Sequence, residues 1–105
     1  MNDERIAQFL QFLKEEPNEP FNIYCLAIEY KNHAPETAMA YFNDLLKNHP
    51  QYLPTYYHAA ELLINSGDIA KAEKVIIDGI ELAISQDDQL ALRELRNLKS
   101  NLLDY

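Results

Sequence analysis

The sequence predicts an all-α chain of about six antiparallel helices, and three observations carry that prediction. Apolar residues recur at spacings of three and four along most of the 105 residues, the period of helices that each bury one face. Breakers are few and well separated: Gly67 and Gly79 are the glycines, and Pro17, Pro20, Pro35, Pro50 and Pro54 the prolines. No segment alternates apolar and polar residues as a half-buried strand would.

The elements follow in order. A first helix is expected over residues 3–16, where Ile6, Phe9, Leu10 and Leu13 share a face and Pro17-Asn18 ends it. A second opens near Glu19-Pro20, with proline in the first turn, where its missing N–H is not needed. Phe21, Tyr24, Cys25 and Ile28 form its expected core stripe. A third opens at Ala34-Pro35-Glu36, places Ala38, Phe42, Leu45 and Leu46 inward, and closes at His49-Pro50. A fourth opens near Leu53-Pro54 and buries Tyr56, Ala59, Ala60 and Leu63; Gly67 suits a left-handed cap behind it. Asp68 caps a fifth helix, along which Ala72, Val75, Ile76 and Ile80 lie. Gly79 sits inside that helix at a cost of about 1 kcal/mol relative to alanine, which implies close approach of a neighbouring helix. The sixth, over residues 87–103, is opened by Ser85-Gln86-Asp87-Asp88, a serine followed three residues on by an acid, and carries Leu92, Leu95, Leu98 and Leu102. Joins of three to six residues mean antiparallel neighbours and a single domain over residues 1–105.

Charge and composition exclude several functions. Seventeen acids against nine bases give a net charge of -8, which repels phosphate backbones and anionic membranes and favours neutral, apolar or basic partners. Cys25 is the one cysteine, so neither an internal disulfide nor a thiolate zinc cage can form. Met1 to Arg5 is polar, and Gln8, Gln11 and Lys14 interrupt the apolar residues behind it. That argues against a signal peptide and for a cytoplasmic protein. No Gly-rich phosphate loop and no Gly-x-Ser-x-Gly context are present. His33, His49 and His58 are not placed to converge on a metal. No cofactor and no catalytic residue is expected.

The helices also repeat. Phe21 pairs with Tyr56 at an offset of 35, and Ala38 with Ala72, Phe42 with Ile76 and Pro50 with Ile84 at 34. A helix-turn-helix unit with this period resembles the tetratricopeptide repeat. In the second copy, residues 53–84, Tyr56, Ala59-Ala60, Leu63, Gly67-Asp68, Ala72, Ile76 and Gly79 fall at the family's large, small, turn and second-helix positions. The first copy, residues 19–50, matches through Phe21, Tyr24-Cys25, Ile28, Ala38, Phe42 and Pro50, and departs where Asn32-His33-Ala34-Pro35 replaces the turn glycine. Each helix pair has an apolar face that it cannot cover alone, so pairs stack into a short alpha solenoid, an alpha-alpha superhelix, between an N-terminal flanking helix and a C-terminal capping helix.

The resemblance implies an adaptor or small scaffold that binds a peptide or helix on a concave face lined by the first helix of each repeat. Carried over position by position, that face would present Asn22, Leu26, Glu29 and Tyr30 from the second helix. The fourth helix would add Tyr57, His58, Glu61, Ile64 and Asn65. Some family members clamp the acidic tail of heat-shock chaperones with Lys, Arg and Asn; Asn22, Leu26 and His58 at those positions supply no cation. Tyr30, Tyr52, Tyr57 and Tyr105 are candidate exposed anchors, and Arg93, Arg96 and Lys99 form a basic stripe on the last helix. Two other functions are weighed against the adaptor: a self-associating structural module or homo-oligomer, and a metal-dependent or acid–base site at His58 and Glu61, one helical turn apart.

Overall fold

The computed structural model describes residues 2–103. Among them are six helices: α1 (Asp3–Glu15), α2 (Pro20–Tyr30), α3 (Pro35–Asn48), α4 (Pro54–Asn65), α5 (Ile69–Ser85) and α6 (Gln89–Leu103). Each predicted helix is present within a residue or two of its expected ends. Tyr105, one of the candidate anchors, lies outside the described residues. The chain divides into two compact units, Met1–Tyr52 and Leu53–Tyr105.

In the first unit α2 packs against both α1 and α3. Ile6, Ile23, Leu26, Ala27, Ala38, Phe42 and Leu45 are buried there, all but Ile6 and Ile23 fully so. The Asn2 side chain starts α1 by accepting the Arg5 N–H at 2.9 Å. Both α2 and α3 open on proline, and Glu19 accepts the Phe21 N–H at the head of α2.

The inward face of α2 differs from the expected one. Phe21 is 52% exposed, and Tyr24, Cys25 and Ile28 are only half-buried. The buried face is Asn22, Ile23, Leu26 and Ala27. The residues from Ile23 to Ile28 are almost continuously apolar, so two helical stripes fit equally well and periodicity alone cannot choose between them. The correction also resets the repeat. Ile23, Leu26, Ala27 and Tyr30 correspond to Tyr56, Ala59, Ala60 and Leu63 at an offset of 33, in place of the 35 that paired Phe21 with Tyr56.

In the second unit α5 packs against α4 and α6, and α4 also touches α6. Buried in this unit are Tyr56, Ala59, Ala60, Leu62 and Leu63 of α4, Ala72, Val75, Ile76 and Ala83 of α5, and Leu92, Leu95 and Leu102 of α6. Gly79 explains itself here: a Cβ built on it would stand 2.8 Å from the Tyr56 Cβ and 3.1 Å from the Leu95 Cδ1. α4 and α6 therefore both approach the α5 backbone where no side chain intervenes.

Two turns of one design join these helices. Gly67, at φ 88°, donates its N–H to the Ile64 carbonyl, while Asp68 donates to Leu63. Asp87, at φ 54°, donates to Ile84, while Asp88 donates to Ala83. Both pairs satisfy the last carbonyls of the preceding helix through a left-handed residue. Asp68 then accepts the Lys71 N–H at 3.3 Å, and Asp88 accepts the Ala91 N–H at 3.0 Å. The expected serine cap of the sixth helix is thereby corrected. Ser85 is the last residue of α5, its hydroxyl donating to the Leu82 carbonyl, and Asp88 is the cap.

Candidate functional site

Because Tyr56, Ala59, Ala60 and Leu63 point inward, the neighbouring stripe of α4 is left partly open. Tyr57, His58, Glu61 and Ile64 are half-buried along it and Asn65 is exposed at its end. The Tyr57 ring meets the His58 imidazole edge-on, with centroids 5.5 Å apart. Burial pushes the Tyr57 phenol above its ordinary range, and the Glu61 and Glu94 carboxylates add to the effect. Tyr57 is thus a protonated phenol over the physiological range, able to donate a hydrogen bond beside a carboxylate on the same face. Five adjacent positions supply an aromatic ring, an imidazole, a carboxylate, an aliphatic chain and an amide. That set is suited to contacting a peptide's side chains and its backbone polar groups.

The four positions expected from α2 are engaged elsewhere. Leu26 has no exposed surface, and Asn22, 8% exposed, opens towards the turn between α1 and α2. Glu29 is ion-paired with Arg5 of α1. Tyr30 stacks on Tyr41 of α3, with centroids 6.0 Å apart and an interplanar angle of 13°. The cause is the stripe ambiguity described above: an offset of 35 placed the outward face where the core lies.

At an offset of 33 the residues matching Tyr57, His58, Glu61 and Ile64 are Tyr24, Cys25, Ile28 and Lys31, all half-buried. The Tyr24 ring lies against Tyr52, centroids 5.7 Å apart and tilted by 59°. Burial raises the Tyr24 and Tyr52 phenols, and each is raised further by its neighbours, Cys25 among them. The Cys25 thiol is raised by burial and by the Glu29 carboxylate, so it is held protonated and is a poor nucleophile. The missed signal was present in the sequence. Ile23-x-x-Leu26-Ala27-x-x-Tyr30 and Tyr56-x-x-Ala59-Ala60-x-x-Leu63 are one pattern, large, small or medium, small, large.

No group of three or more His, Cys, Asp and Glu side chains that could hold a metal ion occurs among the described residues. No helix among them is long and apolar enough to cross a membrane.

Helix pairs that recur at 33–34 residues with the same packing positions define an all-α helical-repeat protein. The tetratricopeptide repeat model matches residues 29–99, and the chain belongs to the tetratricopeptide repeat family. A solution structure of a tetratricopeptide repeat domain protein from Salinibacter ruber is 33% identical, over 83% of this chain and 89% of that one, with a TM-score of 0.77. A crystal structure of a tetratricopeptide repeat domain protein from Salinibacter ruber is likewise 33% identical, over 80% and 96%, with a TM-score of 0.77. A protein from Bordetella parapertussis shares the fold at 21% identity, over 94% and 87%, with a TM-score of 0.80. A comparison with curated proteins finds no match. The family is generally a protein–protein interaction module and generally not enzymatic.

Proposed function

We propose that the chain is an adaptor or small scaffold that receives a peptide or helix of a partner protein on the open stripe of α4. Tyr57, His58, Glu61, Ile64 and Asn65 make the contacts. The observation that carries this reading is the division of α4 into a closed face and a mixed, half-buried one. A rigid helix presents the second face without having to reorganise, which keeps the entropic cost of binding low. The corresponding stripe of α2, Tyr24, Cys25 and Ile28 with Tyr52 beside it, supports the same use in the first repeat. The chain's charge of -8 selects neutral, apolar or basic segments as partners.

Peptides selected from a displayed random library against the whole chain provide the test, with affinities measured by calorimetry. Tyr57→Ala should weaken a selected peptide by roughly thirtyfold, the effect of losing an aromatic anchor of about 2 kcal/mol. Peptides whose affinity is untouched by both Tyr57→Ala and Ile64→Ala would rule the α4 stripe out.

A further inference from the structure

A second surface, separate from the α4 stripe, lies at the turn between α1 and α2. An open cleft of about 440 Å³ is lined there by Phe12, Glu15, Glu16, Glu19, Phe21 and Asn22. Its aromatic walls are left uncovered: Phe12 is 38% exposed and Phe21 52%. Three carboxylates stand around them, and no cationic side chain lines the cleft. Neutral groups orient two of these carboxylates without cancelling their charge. Glu15 accepts from the Gln11 amide at 3.1 Å, and Glu19 accepts from the Phe21 N–H at 3.3 Å.

Asn22 is the independent sign of a ligand. Its side chain is 8% exposed and lines the cleft, yet among the described residues it makes no side-chain hydrogen bond. The amide atoms are not sealed from solvent, since the Thr55 Oγ1 is the buried side-chain polar atom without a partner among the described residues; their bonding is therefore open to a group that enters the cleft. The three carboxylates do not form a group able to hold a metal ion. They are spread along a rim, as suits a larger, flat cation.

We propose that this cleft receives an arginine side chain from an apolar stretch of a partner peptide. The guanidinium lies against the Phe12 and Phe21 rings, where its charge meets the negative face of the π-system. Its edge N–H groups donate to the Glu15, Glu16 and Glu19 carboxylates in charge-assisted bonds. The Asn22 amide completes its bonding with the guanidinium or the peptide backbone. Arginine is preferred to lysine because a planar fork both stacks on a ring and bridges carboxylates, whereas an ammonium does only the second, as a point charge. A partner other than a second copy is favoured because two chains of charge -8 repel.

The test is a titration of the full-length, isotope-labelled chain with the acetylated, amidated peptide Gly-Leu-Arg-Leu-Gly, followed by backbone amide shifts in NMR. Counterparts carry lysine or citrulline in place of arginine. The expected result is saturable shifts centred on residues 12–22, binding several-fold weaker for lysine, and at least tenfold weaker for citrulline, which keeps the shape and loses the charge. The double variant Glu16→Gln, Glu19→Gln should weaken the arginine peptide at least fivefold, and Tyr57→Ala should leave it unchanged. Phe21→Ala, at an exposed position, gives a second reading if the double variant fails to fold, and should weaken binding similarly. Absence of shifts in this segment up to millimolar peptide, or equal binding of the citrulline peptide, would overturn the proposal. So would shifts of the same amides with protein concentration alone, together with a doubled mass, since a second copy would then be the occupant.

Discussion

Gly79→Ala adds one methyl group at the closest helix approach of the second unit. The new Cβ would stand 2.8 Å from the Tyr56 Cβ and 3.1 Å from the Tyr56 Cγ and Leu95 Cδ1. The Leu95 methyl can rotate away, but the Tyr56 Cβ is fixed to the α4 backbone. The two helices must therefore part by roughly half an ångström in a core packed to crystal-like density. Overpacking costs about 1–3 kcal/mol, and a clash with an atom fixed to a helix backbone falls in the upper part of that range, about 2–3 kcal/mol. Alanine returns about 1 kcal/mol through its better helix propensity. The net loss is about 1–2 kcal/mol, a fall in Tm of roughly 5–10 °C for a chain of this size. Thermal and urea unfolding followed by circular dichroism would measure it, with Glu81→Ala on the exposed side of α5 as a control expected within about 0.5 kcal/mol of the parent. A Gly79→Ala variant as stable as the parent, or more so, would show that helix propensity outweighs packing here and that the contact with Tyr56 is soft.

The two left-handed turns should respond in opposite directions: Gly67→Ala should cost about 1 kcal/mol, and Asp87→Gly should gain a few tenths, both read from urea midpoints. Thr55 is fully buried and its hydroxyl has no partner among the described residues, so Thr55→Val, which keeps the shape and removes an unsatisfied group, should leave Tm unchanged or raise it, with a gain in stability of up to about 1 kcal/mol. A clear fall in Tm would mean that the hydroxyl is bonded in solution. Tyr24, Tyr41, Tyr52, Tyr56, Tyr57 and Cys25 all bind their protons more tightly in the folded chain, burial being the leading cause for each. Their contribution is intact below roughly pH 8.5, where unfolded thiols begin to ionise. It is lost as pH rises through the folded pKa values, because the unfolded chain then holds fewer protons. Phenolate absorbance should accordingly rise at higher pH in the native chain than in urea, and coincident curves would contradict the assignment.

α4 and α5 show where sequence patterns are decisive, whereas in α1 Leu10, expected on the face shared with Ile6, is 43% exposed. In α4 the apolar set Tyr56, Ala59, Ala60 and Leu63 is flanked by polar residues such as His58 and Glu61, so only one stripe can be buried. In α5 the presence of Gly79 correctly implied a close neighbour, because nothing else offsets its cost in mid-helix. α2 lacked that contrast. Both of its stripes are apolar, and the choice between them rests on α1 and α3, which pack against it from elsewhere in the chain. The candidate positions Asn22, Leu26, Glu29 and Tyr30 follow the stripe selected by the offset of 35; Asn22 and Leu26 are buried, and Glu29 and Tyr30 meet Arg5 and Tyr41. At the α5–α6 turn the serine-to-acid spacing is real, but a left-handed Asp87 lets α5 run on to Ser85 and shifts the cap to Asp88. A left-handed aspartate carries no signal comparable to that of glycine.

The helices are delimited in two ways, and the difference bears on how the chain can tolerate changes in length. α2, α3 and α4 have their beginnings fixed, each by a proline that cannot be drawn into the body of a preceding helix. α4 and α5 have their ends fixed, each by a left-handed residue and its paired carbonyl bonds. A residue gained or lost ahead of Pro35 is absorbed by the tail of α2 or by its turn, while the register of α3 is preserved. A residue gained inside α5 has no such outlet: it must rotate one part of the helix against the other, between Gly79 and the turn at Asp87. The first repeat is one residue shorter than the second between Ile23 and Ala38, compared with Tyr56 and Ala72. Its missing residue falls in the stretch that the proline leaves free to vary.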